Sequence, residues 1–182
     1  MLEQTLKHTA APTIETERLI LRAHTKQDHA GTQRLWNYPE VYEGISGAPA
    51  TPKEAWSRLL SFSGLWPLLG YGSWVVELKE SDEYVGEVGF MDYHRIIEPC
   101  IHGTPEMGWV LAPQVHGKGI GKEAVGAALE WGSRNIESPK VVCIIAKSNR
   151  ASLALAKSQG FTVQTETEFK ESTVFILERL LR

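Results

Sequence analysis

An apolar run, a glycine-rich turn, an amphipathic helix and a second apolar run follow one another without a break, and few folds accept that order. EMGWVL (106–111) reads as a strand. QVHGKGIGKEA (114–124) then puts glycines at 117, 119 and 121 ahead of a helix, whose apolar stripe (Ile120, Ala124, Val125, Ala128, Leu129) runs to about Asn135. KVVCIIA (140–146) is apolar without alternation, as a strand covered on both faces would be. This is a βαβ unit, whose crossover is expected to be right-handed. Ligands of open α/β sheets gather off the carboxyl ends of such strands, where the glycines lie.

The flanking sequence supplies the rest of an α/β (α+β) domain. IETERLILR (14–22) alternates as a strand with Leu19 and Leu21 on one face. Residues 27–38 read as a helix stopped by Pro39. TPKEAWSRLLSF starts a second helix with Thr51 as N-cap, Pro52 at the first position and Glu54 three residues after the cap. SGLWPLLGYG, rich in Gly and Pro, is expected to end it. Residues 73–79 and 84–93 form a hairpin, and residues 93–104 a loop. NRASLALAKSQGF is a short helix between Asn149 and Gly160, and residues 161–169 and 172–180 pair as the last strands. The expectation is a mixed, mostly antiparallel twisted sheet of about seven strands with about four helices. It occupies one domain, 14–182, behind a loose arm, 1–13.

Bulk properties exclude several classes. A net charge of −3 over 182 residues argues against a dedicated nucleic-acid binder. No stretch approaches a membrane span, and MLEQTLKHTAAPT lacks the apolar centre of a signal peptide. Two cysteines, Cys100 and Cys143, fit a reducing compartment, and His94, Cys100 and His102 lack zinc-site spacing, so no metal is expected. These features point to a soluble cytoplasmic domain, monomeric or homodimeric.

The glycines carry the chemistry. The first N–H groups of a helix have no internal partner and sit at the positive end of its dipole, so a glycine turn there can cradle an anion, phosphate above all. A plain tight turn is the alternative. Walker A spacing fails, because Gly121-Lys122 is followed by Glu123 and His116 stands where the first glycine belongs; the dinucleotide fingerprint fails at Lys122. Gln-x-x-Gly-x-Gly fits at Gln114, Gly117 and Gly119.

That motif resembles the acetyl-CoA pyrophosphate loop of the GNAT superfamily of N-acetyltransferases. TERLILR (16–22), GSWVVELKES (72–81), VGEVGF (85–90), PEMGWVLAPQVHGKGIGKEAV (105–125) and NRASLALAKSQGF (149–161) extend the resemblance, in order, along nearly the whole chain. Within the superfamily they are similar to the ribosomal-protein-alanine acetyltransferase, or RimJ/RimL-type, branch. The resemblance implies central parallel strands splayed at the CoA site and an acetyl-CoA cosubstrate held by Trp109, Val110, Leu111, Gln114, His116, Gly117, Lys118, Gly119, Ile120, Gly121, Lys122, Asn149 and Ser152. By position Leu111 contacts pantetheine, the Trp109 N–H faces the acetyl carbonyl, and the amides of 116–122 receive the pyrophosphate. Lys118 and Lys122 add charge there or stand solvated.

The implied reaction is direct attack of a primary amine on the thioester in a ternary complex. Glu106 is the first candidate base, through a water, or a solvent-facing carboxylate at a strand end; Glu87 is the second. The tyrosine that serves many relatives as acid is replaced by Ala156, and the branch pattern offers Asn149 for pantetheine and Ser152 facing the sulfur. Asn149 is equally a helix N-cap, and Ser152 a first-turn hydroxyl satisfying the backbone. Cys143 lies in an apolar strand with no activating partner nearby in sequence, against a covalent route. The acceptor would be a protein N-terminal α-amine, an amino acid or a small amine, chosen by residues 27–70 and 93–104. A non-catalytic acyl-CoA-binding module is the competing reading.

Overall fold

A computed structural model describes residues 8–182; the first seven residues of the expected arm lie outside the described part. Residues 8–13 carry no regular element but are anchored: the Pro12 carbonyl accepts the Trp74 Nε1–H (2.8 Å), and the His8 ring lies against Trp131.

Eight strands form one sheet: β1 (Ile14–Glu15), β2 (Leu19–Arg22), β3 (Ser73–Leu78), β4 (Glu83–Met91), β5 (Glu106–Leu111), β6 (Lys140–Ala146), β7 (Thr162–Phe169) and β8 (Ser172–Leu180). Their order is β1-β2-β3-β4-β5-β6-β8-β7, and β5/β6 is the parallel pair among antiparallel neighbours. The helices are α1 (His29–Leu35), α2 (Pro39–Tyr42), α3 (Pro52–Leu69), α4 (Ile120–Asn135) and α5 (Arg150–Ser158). The count exceeds the expected seven strands and four helices for two reasons. The first strand is broken at 16–18, where the Thr16 hydroxyl and the Leu19 backbone bond each other, and Pro39 begins a helix of its own.

α4 covers one face of the sheet. Ile120, Ala124, Val125, Ala128 and Leu129 are buried against Leu21, Val88, Phe90 and Met107, and Trp66, Trp74 and Trp131 meet edge-to-face with centroids 4.8–5.3 Å apart. Gly132 is needed for this contact, since a Cβ there would come within 2.7 Å of Phe90 Cζ. On the opposite face Leu35, Trp36, Val41, Val75 and Tyr84 form a second cluster beneath α1 and α2.

α3 corrects one expectation. It does not stop before SGLWPLLG but runs to Leu69 with Pro67 inside it, and closes on Gly70 at φ 76°, whose N–H donates to Trp66 O. Packing overrides the breakers: Phe62 and Leu65 bury against Met91, and Trp66 Nε1 donates to Ser73 O (3.1 Å). The start is as read, with Thr51 and Glu54 in a reciprocal capping box.

Candidate active site

β5 and β6 touch at one point and then part. Glu106 is in register with Val142, and the Val142 N–H donates to Pro105 O (3.0 Å). At the other end of β5 the Ala112 N–H reaches back to Val85 O of β4 (2.8 Å). Even-numbered residues of β5 therefore turn their backbone groups to β4, and odd-numbered ones to β6. Beyond the fork, the N–H groups of Trp109 and Leu111 face a gap with no strand partner. The Leu111 carbonyl is already engaged, accepting from His116 Nε2 (2.9 Å), which fixes that ring's tautomer.

The glycine turn lies directly below. Gly117 (φ 71°) and Gly119 (φ 77°) take left-handed backbone conformations, which point successive amides the same way. The Glu123 N–H, bonded to Gly119 O, is the first of the helix to find an intrahelical partner. The amides of 117–122 thus have no acceptor among the described residues, a cradle suited to an anion. A brace sets it: Glu123 accepts from Thr16 Oγ1 (2.6 Å), Arg18 N (2.8 Å) and Arg18 Nε (2.7 Å), while Arg18 Nη1 donates to Lys118 O (2.8 Å). Burial works against the Glu123 charge, but these donors hold its carboxyl below the usual range.

Fork and cradle open into one cleft of about 490 Å³. Of the residues singled out from sequence, Trp109, Val110, Leu111, His116, Gly117, Gly119, Gly121, Lys122, Asn149 and Ser152 line it. Three others lie elsewhere. Gln114 donates to Glu83 (3.0 Å), Lys118 has its carbonyl tied to Arg18, and Ile120 is buried in the core beneath α4. Asn149 does cap α5, its Oδ1 accepting from Ser152 N (3.0 Å). The Ser152 hydroxyl bonds no group among the described residues and is free at the cleft wall. Ala156 is fully buried. Val115, Ala151 and Leu155 also line the cleft and were not singled out from sequence, and Glu40, Val41, Gly44 and Ile45 reach it from the 27–70 stretch that was expected to choose the acceptor; the signal for that wall was Pro39, a residue as apt to start a helix as to end one.

The two candidate carboxylates sit behind the cleft, on the sheet face beneath α1 and α3. Glu106, at the apex of the fork, is 6 % exposed and clamped by Arg95 through Nε (2.6 Å) and Nη2 (2.9 Å). Glu87, opposite Val110 in register, accepts from Trp36 Nε1 (2.9 Å) and Tyr84 Oη (2.5 Å). Burial pushes the Glu87 carboxyl up, against those two donors. Burial also drives the Cys143 thiol far up, so it holds no thiolate at neutral pH. Among the described residues, no group of three or more His, Cys, Asp or Glu is arranged to hold a metal, and no helix is long and apolar enough to cross a membrane.

A forked parallel pair thus opens over a cradle of amides with no acceptor among the described residues. The chain belongs to the GNAT family: the Acetyltransferase (GNAT) domain matches residues 18–162, and the protein is an N-acetyltransferase. It is 26% identical over 152 residues to the uncharacterized N-acetyltransferase YoaA of Bacillus subtilis, covering 82% of each chain. A structure described as a GnaT-family acetyltransferase from Bordetella pertussis superposes with a TM-score of 0.81 at 28% identity, covering 93% of this chain and 99% of that one. The ribosomal L7/L12 alpha-N-protein acetyltransferase RimL, in complex with coenzyme A, shares the fold with a TM-score of 0.76 at 17% identity, over 93% and 98% of the chains. The RimJ/RimL-type resemblance thus holds at the level of fold.

Proposed function

We propose that the chain transfers the acetyl group of acetyl-CoA to a primary amine by direct attack in a ternary complex. The observation that carries this reading is the continuity of the fork with the cradle. Unpaired N–H groups of Trp109 and Leu111 lead straight to the free amides of 117–122, an arrangement that suits a pantetheine stem ending in a pyrophosphate. Lys122, at the cleft wall, adds charge near the phosphates.

The Trp109 N–H is the donor for the acetyl carbonyl, a fixed dipole aimed where negative charge grows. An amine whose conjugate acid has a pKa of about 8 (α-amine) or about 10.4 (lysine) must lose a proton before attack. Glu106 is the proposed base, acting through a water because it stands behind the cleft at the apex of the fork; Arg95 orients its carboxylate. Glu87 is the reserve, and the free Ser152 hydroxyl stabilises the departing thiolate.

Initial-rate kinetics of CoA release over a panel of amines test this reading. Intersecting double-reciprocal lines are expected, with Glu106→Gln lowering kcat at least about 100-fold and Ser152→Ala about tenfold. Parallel lines would refute direct attack. Acetyl-CoA binding without release for any amine would make the chain a sensor.

A further inference from the structure

Three part-buried arginines lie over the sheet face that holds Glu87 and Glu106, and two are neutralised. Arg22 is gripped by Asp28 (2.9 Å) and Glu77 (2.8 Å), and Arg95 by Glu106. Arg58 is different. Its guanidinium stacks 3.4 Å above the Trp36 ring, and among the described residues its buried Nε has no partner and no carboxylate bonds it. Its neighbours are committed elsewhere. Both oxygens of Glu87 are taken by Trp36 and Tyr84, and Glu54, one turn back on α3, is held at the Thr51 cap through Oε2 and does not bond Arg58. Both Nη groups are therefore free to donate.

Arg58 adjoins the cleft through Trp36. Trp36, beneath Arg58, packs with Val41 and Val110, two residues of the cleft wall. Tyr93 lies close enough for Arg58 and Arg95 both to act on its hydroxyl, and Arg95 lies between Tyr93 (5.0 Å) and Phe169 (5.5 Å). Trp36, Arg58, Tyr93, Arg95 and Phe169 thus follow one another as stacked or neighbouring groups, and of the three arginines Arg58 is the one that no carboxylate of the described residues bonds, Glu87 acting on it only through space. A half-buried guanidinium stacked on an aromatic, with both Nη groups bonded to no carboxylate, is suited to bidentate capture of one.

We propose that Arg58 is a specificity-determining residue and that the amine acceptor carries a carboxylate, which the free edge of Arg58 receives while the amine reaches the thioester. The inference rests on the acetyltransferase reading above and narrows its substrate class. Burial holds Arg58 below the usual arginine range, against the through-space attraction of Glu87, so a carboxylate bonded directly to its free edge would offset a desolvation that Glu87 does not fully cover. The carboxylate is either the α-carboxylate of a free amino acid or an acidic side chain just after a protein's N-terminus.

Matched acceptors test the proposal: free amino acids against their amides, and N-terminal peptides with Asp or Glu at the second or third place against the same peptides with Asn or Gln. Wild-type kcat/KM is expected to favour the carboxylate member of at least one set by about tenfold or more, through KM. The set that discriminates identifies the source. Arg58→Met should bring that ratio close to one and Arg58→Lys should keep part of it, with the acetyl-CoA-induced thermal shift of both variants intact as the check on folding. Equal rates for acid and amide in both sets, or a preference that survives Arg58→Met, would overturn the proposal and leave the acetyltransferase reading standing. No CoA release with any amine, despite acetyl-CoA binding, would overturn both.

Discussion

His24 makes the acid stability of this fold calculable. The residue follows β2, its ring lies 5.3 Å from that of Phe62 on α3, and both ring nitrogens are buried with no partner among the described residues. Burial lowers its pKa from 6.5 to about 4, against the attraction of Asp28 and with the help of Arg22. Above pH 6.5 the ring is neutral in both folded and unfolded chains, so it contributes no pH dependence. As pH falls from 6.5 towards 4 the unfolded chain binds a proton that the folded chain refuses, and stability is lost. At about 1.4 kcal/mol for each pH unit, the interval from 7.5 to 4.5 removes about 2.5 kcal/mol. Carboxylates titrate over part of the same range, so the quantity to measure is a difference. Urea unfolding of wild type and His24→Phe at pH 7.5 and 4.5 should show wild type losing about 2.5 kcal/mol more than the variant. Equal losses would mean that the ring is protonated in the folded state and that the account of its burial is wrong.

Further outcomes follow from backbone geometry. Gly119→Ala forces a Cβ onto a left-handed residue at the cradle and should destabilise the fold by about 1–2 kcal/mol, while weakening acetyl-CoA binding in calorimetry by about tenfold. Gly64→Ala is the control on an open helical surface, expected to raise stability by about 0.5–1 kcal/mol. Pro67 lacks an N–H for the last turn of α3, so Pro67→Ala should add about 1–2 kcal/mol in the same unfolding assay; a loss there would show that the turn depends on the ring.

What the sequence made legible, and what it hid, divides along the range of the forces involved. The βαβ unit could be read because its signals are local. The α4 stripe has helical period, the glycines need positive φ, and Thr51 and Asn149 cap the helices they precede. The end of α3 could not be read, because Pro67 and Gly64 weigh against a helix locally, while the decisive contacts of Phe62, Leu65 and Trp66 are with residues further along the chain. The same limit hid the surroundings of the candidate bases. Glu106 reads equally well as a solvent-facing carboxylate or a base until Arg95, eleven residues earlier, folds back onto it. Glu87 likewise carries no sign in its own neighbourhood that Trp36, fifty-one residues away, bonds it. Arg58 looks like any helix arginine until the engagements of every nearby carboxylate are known.

The central claim is that fork and cradle hold acetyl-CoA, and a thermal melt with acetyl-CoA, ATP and NAD in parallel tests it most directly. Acetyl-CoA at about 100 times its dissociation constant adds about 2.7 kcal/mol, which in a chain of this size raises Tm by about 5–11 °C. The account predicts that rise with acetyl-CoA alone, and a smaller one for Gly119→Ala at the same concentration. No shift with acetyl-CoA, or a shift only with ATP or NAD, would contradict it.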